Sequence, residues 1–189
     1  MNEKKFIFKY LEDTAKLISP DIEIISKLEK IKKLFLSIKK NQKKLIIIGN
    51  GGSAGIASHF SVDMTKNGKI RCINFNESSL ITCLTNDFSY DKVFSKAIDY
   101  YGDKGDILIA ISSSGTSPNI LNACKQAKIK KFSKVITLSG FPKKSKLKKI
   151  GDVNLLVNSQ SYNFIENVHQ IWLLLLVDLI IGKTQYKVN

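Results

Sequence analysis

Leu45-Ile46-Ile47-Ile48-Gly49-Asn50-Gly51-Gly52-Ser53-Ala54-Gly55 is a run of four aliphatic residues that breaks into a glycine-rich turn. A short apolar run bounded by turn residues reads as a buried strand, and residues 53–66 after it have helix length. The same grammar returns at Ile107-Leu108-Ile109-Ala110-Ile111-Ser112-Ser113-Ser114-Gly115-Thr116-Ser117, followed by a second helix-length segment at 117–130. Strand, small-residue turn and helix, twice over, is the signature of an α/β sheet whose ligands sit beyond the carboxyl ends of its strands.

Working outward, further apolar runs lie at 70–74, 135–138 and 153–157. They alternate with expected helices at 90–101 and, briefly, at 143–150. The runs are nearly continuous rather than alternating, which predicts parallel strands covered on both faces. The fold class is therefore α/β, doubly wound. Two helices precede it. The first spans 3–18; Ser19-Pro20-Asp21 then supplies an N-cap, a proline at the first helical position and an acid in the first turn of the second. That second helix carries Ile24, Leu28, Ile31, Phe35 and Ile38 at helical spacing. The αβ units already supply helices for both faces of the sheet, so this stripe is expected to meet another subunit. A long apolar helix at 163–181 closes the chain. No linker interrupts it, so residues 1–189 read as one domain, with N-terminal helices in 1–40 and an αβα core over 45–182.

The formal charge is +14, from 30 Lys+Arg against 16 Asp+Glu. Arg71 is the sole arginine, and no aromatic-studded basic motif accompanies the lysines. Nucleic-acid binding is thus disfavoured. The longest apolar run, 171–182, is broken by Asp178 and falls short of the roughly 20 residues that a membrane span needs. The opening residues lack the apolar core of a signal peptide. Cys72, Cys83 and Cys124 are odd in number and widely spaced, which predicts reduced core cysteines in a cytoplasmic protein with no membrane partner.

The first loop fits two other motifs. Gly49-x-Gly51-x-x-Ala54 is a dinucleotide fingerprint, but the acid that should end the second strand is absent: the strand ends at Asn74, and the nearest acid is Glu77. No nucleotide cofactor is expected. Gly51-x-Ser53-x-Gly55 fits a nucleophile elbow, with Asp152 and His169 following, yet it comes after the first strand, too early for that fold. The second loop decides. Four serines and a threonine at a strand-to-helix turn offer hydroxyl donors next to the positive end of a helix, and Pro118 suits that helix's first turn. This is a phosphate cradle that uses neither arginine nor metal.

Gly49-Asn-Gly-Gly-Ser53, Thr85-Asn-Asp87, Gly105-Asp106 and Ile111-Ser-Ser-Ser-Gly-Thr-Ser117 together resemble the sugar isomerase (SIS) domain family, closest to the phosphoheptose isomerases. The resemblance covers about residues 45–181 and includes the two N-terminal helices. It implies a three-layer, flavodoxin-like fold on a five-stranded parallel sheet, and a homotetramer with sites between subunits. It implies aldose–ketose isomerisation of sedoheptulose 7-phosphate, in heptose and lipopolysaccharide precursor synthesis. On that resemblance Ser112, Ser113, Ser114 and Ser117 hold the sugar phosphate, while Asn50, Gly51, Ser53 and Asp87 contact the sugar.

The resemblance also implies zinc on a histidine and an acid one helical turn apart, here His59 and Asp63, with Glu166 as a third ligand. Several positions depart from the family pattern. Asp63 replaces a glutamate, Asn67 an arginine, Glu166 a glutamine and Leu174 a catalytic histidine, whereas His169 matches another family histidine. An isomerase needs a base for the proton beside the carbonyl and an acid for its oxygen. Glu166, His169 and Asp63 are the residues left for that task, the first two sharing one helical face. The alternative is a module that binds a sugar phosphate without turnover and regulates or scaffolds a partner.

Overall fold

A computed structural model describes residues 2–185. The elements run α1 (Glu3–Ile18), α2 (Ile22–Lys40), β1 (Leu45–Ile48), α3 (Gly52–Lys66), β2 (Cys72–Ile73), α4 (Ser78–Phe88), α5 (Val93–Tyr101), β3 (Ile107–Ser112), α6 (Pro118–Ile129), β4 (Lys134–Ser139), β5 (Val153–Leu156) and α7 (Tyr162–Ile181). The five strands form one parallel sheet in the order β2-β1-β3-β4-β5. All residues of β1 and β3 are buried, as expected for strands covered on both faces.

Side chains alternate across the sheet and so feed two cores. Leu45, Ile47, Ile107, Ile109 and Ile111 join α2, α3 and α7 on one face. Ile46, Ile48, Leu108 and Ala110 join α4, α5 and α6 on the other. Asp106, just before β3, anchors the opposite edge of the sheet from the loops. It is buried, accepts the Lys44 and Asp103 backbone N–H groups at 3.1 and 2.9 Å, and pairs with Lys44 Nζ at 2.7 Å. Burial works against the Lys44 charge, but its hydrogen bonds to Asp103 and Asp106 outweigh that and raise its pKa.

Several expectations change. Residues 78–88 form a helix, α4, where the sequence pattern predicts no regular element. Segment 143–150 holds only a 3-10 turn at Leu147–Lys149, and 90–101 divides into a 3-10 turn, Tyr90–Lys92, and α5. Asp21, not Ser19, caps α2: its carboxylate accepts the Ile24 N–H at 2.9 Å, while Ser19 bonds back to the Ala15 carbonyl. The α2 stripe finds its partner inside the chain, since Leu28, Ile31, Phe35 and Ile38 are buried in the core shared with α7. The least covered helix is α1, which meets α7 through Tyr10 on Phe164 and lays Leu17 against the core. None of its residues is buried, and Phe6, Phe8 and Leu11 are exposed. Cys72 and Cys124 are core residues whose thiols burial pushes up, Cys124 to about 12, but Cys83 lies exposed on α4. α7 has the length and apolarity of a membrane span; its Ile165, Val168, Trp172, Leu173, Leu176 and Val177 are instead core side chains.

Candidate functional site

The strand order reverses direction between β1 and β3, and a crevice opens there at the carboxyl ends of the strands. A pocket of about 160 Å³ occupies it, lined by Asn50, Ser53, Ser112, Ser113, Ser114 and Ser117, with Ile111, Tyr162 and Glu166. Both small-residue loops therefore face one cavity. Gly51 enters α3 at φ +53°, ψ −125°, a conformation open to glycine. No side chain caps the start of α3, so its first backbone N–H groups are not spent on a cap; in α6, Pro118 has no N–H and Asn119 Oδ1 accepts that of Ile120.

The serine loop is braced from several sides. Ser112 Oγ donates to Ser117 Oγ at 3.1 Å and accepts the Gly115 N–H at the same distance. Ser114 Oγ accepts both the N–H and the hydroxyl of Thr116, at 3.3 and 3.0 Å. Its own proton remains for a ligand. The Gly115 carbonyl accepts the N–H groups of Lys146 and Leu147, and Gly140 donates its N–H to Ser113 O. Gly115 has φ +67°, and a side chain there would collide with Ser145.

α7 supplies the charged wall. Glu166 Oε1 accepts from the Ser113 hydroxyl at 3.4 Å, and its carboxyl group lies against Gly52. Tyr162 stands one turn earlier on the same helix. Across the pocket, Asn50 is held by Asn119 and by the Tyr90 hydroxyl. Tyr90 follows Ser89, which takes φ +82°, ψ 154°, a backbone region that ordinarily belongs to glycine. Sequence reasoning assigned no role to Tyr90, Asn119 or Tyr162. The one available signal was Asn119, at the end of the serine loop and among the first helical residues.

The remaining candidates lie elsewhere in the chain. His169 is fully buried on α7, and neither of its ring nitrogens has a hydrogen-bond partner of normal geometry among the described residues. Burial lowers its pKa to about 4, against a weaker upward pull from the Ser139 backbone, so the ring is neutral near pH 7. It does not line the pocket. Asp87 is exposed on α4, where its carboxylate accepts from the Asn86 amide.

His59 and Asp63 do meet, Nε2 to Oδ2 at 3.1 Å, on the half-exposed outer side of α3. Glu166 does not join them. Among the described residues no three His, Cys, Asp or Glu side chains cluster as metal ligands. The residues of a single chain thus do not fit the zinc site that the resemblance implied. His59 and Asp63 form half of such a site, and Glu166 is turned toward Gly52 and Ser113.

A model of the SIS domain family matches residues 9–140, a span that holds both loops. The chain belongs to the SIS domain family. It is 38% identical over 193 residues to the phosphoheptose isomerase of Buchnera aphidicola subsp. Acyrthosiphon pisum, covering 97% of this chain and 98% of that one. Among solved structures it resembles phosphoheptose isomerase GmhA from Neisseria gonorrhoeae, with a TM-score of 0.87 and 28% identity over 95% of this chain and 99% of that one. A phosphoheptose isomerase from Francisella tularensis gives a TM-score of 0.86 at 27% identity, covering 97% and 100% respectively. The five-stranded parallel sheet and the helices that flank it are therefore those of the SIS fold, as the sequence resemblance implied.

Proposed function

We propose that the chain is a phosphoheptose isomerase, which interconverts sedoheptulose 7-phosphate and the corresponding aldoheptose phosphate. One observation carries this reading: four serines of one loop and a carboxylate on a different helix line a single pocket at the switch point of the sheet. Ser114 and Ser117 have hydroxyl protons to donate to the phosphate, and Ser112 and Ser113 turn theirs to it from Ser117 and Glu166 when it binds, helped by the positive end of α6. Asn50 and Ser53 meet the sugar oxygens, with the Gly51 turn bringing the backbone close. Glu166 takes a proton from the carbon beside the carbonyl and returns it to the former carbonyl carbon of the enediol, while the proton of the neighbouring hydroxyl passes to the carbonyl oxygen, so the isomers differ by one proton moved between carbons and one between oxygens. No external oxidant or reductant enters, because the two carbons exchange oxidation states within one molecule.

The full-length similarity to chains named phosphoheptose isomerase supports turnover over a non-catalytic binding module. We place the enzyme in the cytoplasm, in surface-polysaccharide precursor synthesis, as a homotetramer. The exposed apolar face of α1 supports association: Ile7, Phe8 and Leu11 fall on one side of the helix and are exposed. His59 and Asp63 supply two ligands, so zinc there would need further ligands from a neighbouring subunit. Light scattering should give four chains per particle, and Phe8→Glu should reduce that number.

The decisive assay supplies sedoheptulose 7-phosphate in deuterated water, with and without added zinc. Aldoheptose phosphate should form and deuterium should enter the substrate carbon. Binding with neither product nor exchange would refute the isomerase reading.

A further inference from the structure

Asn119 is the second residue of α6 and is almost wholly buried. Its Oδ1 accepts the Ile120 backbone N–H at 2.9 Å. That bond fixes which way the amide faces, because a backbone N–H requires an acceptor. The same oxygen accepts from Asn50 Nδ2 at 3.0 Å, and Asn119 Nδ2 donates back to Asn50 Oδ1 at 2.9 Å. The two amides form a closed, reciprocal pair between the turn after β1 and the first turn of α6, 69 residues apart in the chain. Asn50 Oδ1 also accepts from the Tyr90 hydroxyl, again at 2.9 Å.

Hydrogen-bond capacity then limits what Asn50 has left. An amide oxygen has two lone pairs, and here Asn119 and Tyr90 take both. An amide nitrogen has two protons, and Asn119 takes one. The remaining polar capacity is a single N–H, on a residue that lines the pocket. We propose that Asn119 is a positioning residue: it locks the Asn50 amide so that Asn50 meets the ligand only as a donor, toward an oxygen of the bound sugar phosphate. The proposal rests on the sugar-phosphate reading above. Its chemical consequence is selectivity. A carbonyl, a hydroxyl or a developing alkoxide satisfies the Asn50 N–H, whereas an ammonium group at that place leaves it unpaired and repelled.

The test compares the wild-type enzyme, Asn50→Ala, Asn119→Ser and the double variant. Asn119→Ser keeps a hydroxyl acceptor near the Ile120 N–H but is too short to hold Asn50. In ¹⁵N-labelled protein the Asn50 side-chain amide should show one proton protected from exchange, and Asn119→Ser should abolish that protection. For sedoheptulose 7-phosphate, each single variant should raise KM about tenfold with a smaller change in kcat, and the double variant should be no worse than Asn50→Ala alone. Multiplying penalties, or an Asn50 amide unchanged in Asn119→Ser, would overturn the proposal. If Asn119→Ser does not fold, Asn119→Asp keeps the acceptor for Ile120 and turns an oxygen toward Asn50 Oδ1. The Asn50 amide should then rotate, visible in the same signals, and a fixed amide would overturn the proposal. A protected Asn50 amide in a wild-type protein that turns over no sugar phosphate would uphold the positioning role and refute the isomerase reading alone.

Discussion

The Glu166 carboxyl group fills the space that a side chain on Gly52 would need: a β-carbon built there would overlap Oε2 and lie 2.9 Å from the carboxyl carbon. A residue of α7 thus depends on the bareness of the first turn of α3. If Glu166 is the base, Glu166→Gln should keep ligand affinity and lower turnover about 10²–10⁴-fold. Gly52→Ala should also lower turnover by displacing the carboxylate, with the melting temperature held, since alanine favours a helix over glycine. Steady-state kinetics and calorimetry on both variants check this pair.

Ser114 has the clearest single role in the cradle. Its oxygen is already occupied by Thr116, so its proton is the part available to a phosphate. Ser114→Ala should weaken sugar-phosphate binding about tenfold or more in titration calorimetry, the range for one hydrogen bond to a charged group. The melting temperature without ligand should barely move, because the bonds lost are on the partly exposed side of the loop.

His169 predicts a pH dependence of stability rather than of binding. Its folded pKa, about 4, lies below the ordinary value of 6.5. Between those values the unfolded chain binds the proton and the folded chain does not. The His169 contribution is therefore complete above about pH 6.5, falls as pH drops, and levels off below about pH 4. The total loss is about 3 kcal/mol. Urea denaturation of His169→Leu across this range should show a flatter profile than wild type.

Asp106 lies outside the pocket and should behave accordingly. Asp106→Ala leaves Lys44 with Asp103 as its remaining acid and strips the acceptor from two backbone N–H groups. Breaking a buried pair of this kind costs about 3 kcal/mol or more. Chemical denaturation should show that loss, with sugar-phosphate affinity in the surviving folded protein unchanged.

The layers of the fold were legible because β1 and β3 are unbroken aliphatic runs that end in turns of small residues. α4 was not, because Ser78-Ser79-Leu80-Ile81-Thr82-Cys83-Leu84-Thr85-Asn86 is rich in poor helix formers. A readable signal did precede it: the Glu77 carboxylate accepts the Ser79 and Leu80 N–H groups and caps the helix. The α2 stripe is legible as a covered face, but periodicity does not show what covers it, and the cover is the core shared with α7 rather than another subunit. In the site, the serine loop and Asn50 were legible because donors crowd two turns. The opposite fates of Glu166 and His169, three residues apart on α7, were not. One helical turn separates a pocket wall from a sealed core, and where that line falls depends on how α7 lies across α3 and the end of β4.

The two halves of the pocket hang from β1 and β3, strands adjacent in the sheet but separated in the chain by all of β2 and its helices. A chain leaving the ribosome completes the Asn50 turn long before the serine loop exists, and no ligand can bind until β3 has slotted between β1 and β4. A sugar phosphate therefore recognises the finished sheet and none of its precursors. At a hundredfold excess over Kd it adds about 2.7 kcal/mol to the stability of the whole fold. A chain destabilised by mutation would then hold its fold better with the ligand present than without it.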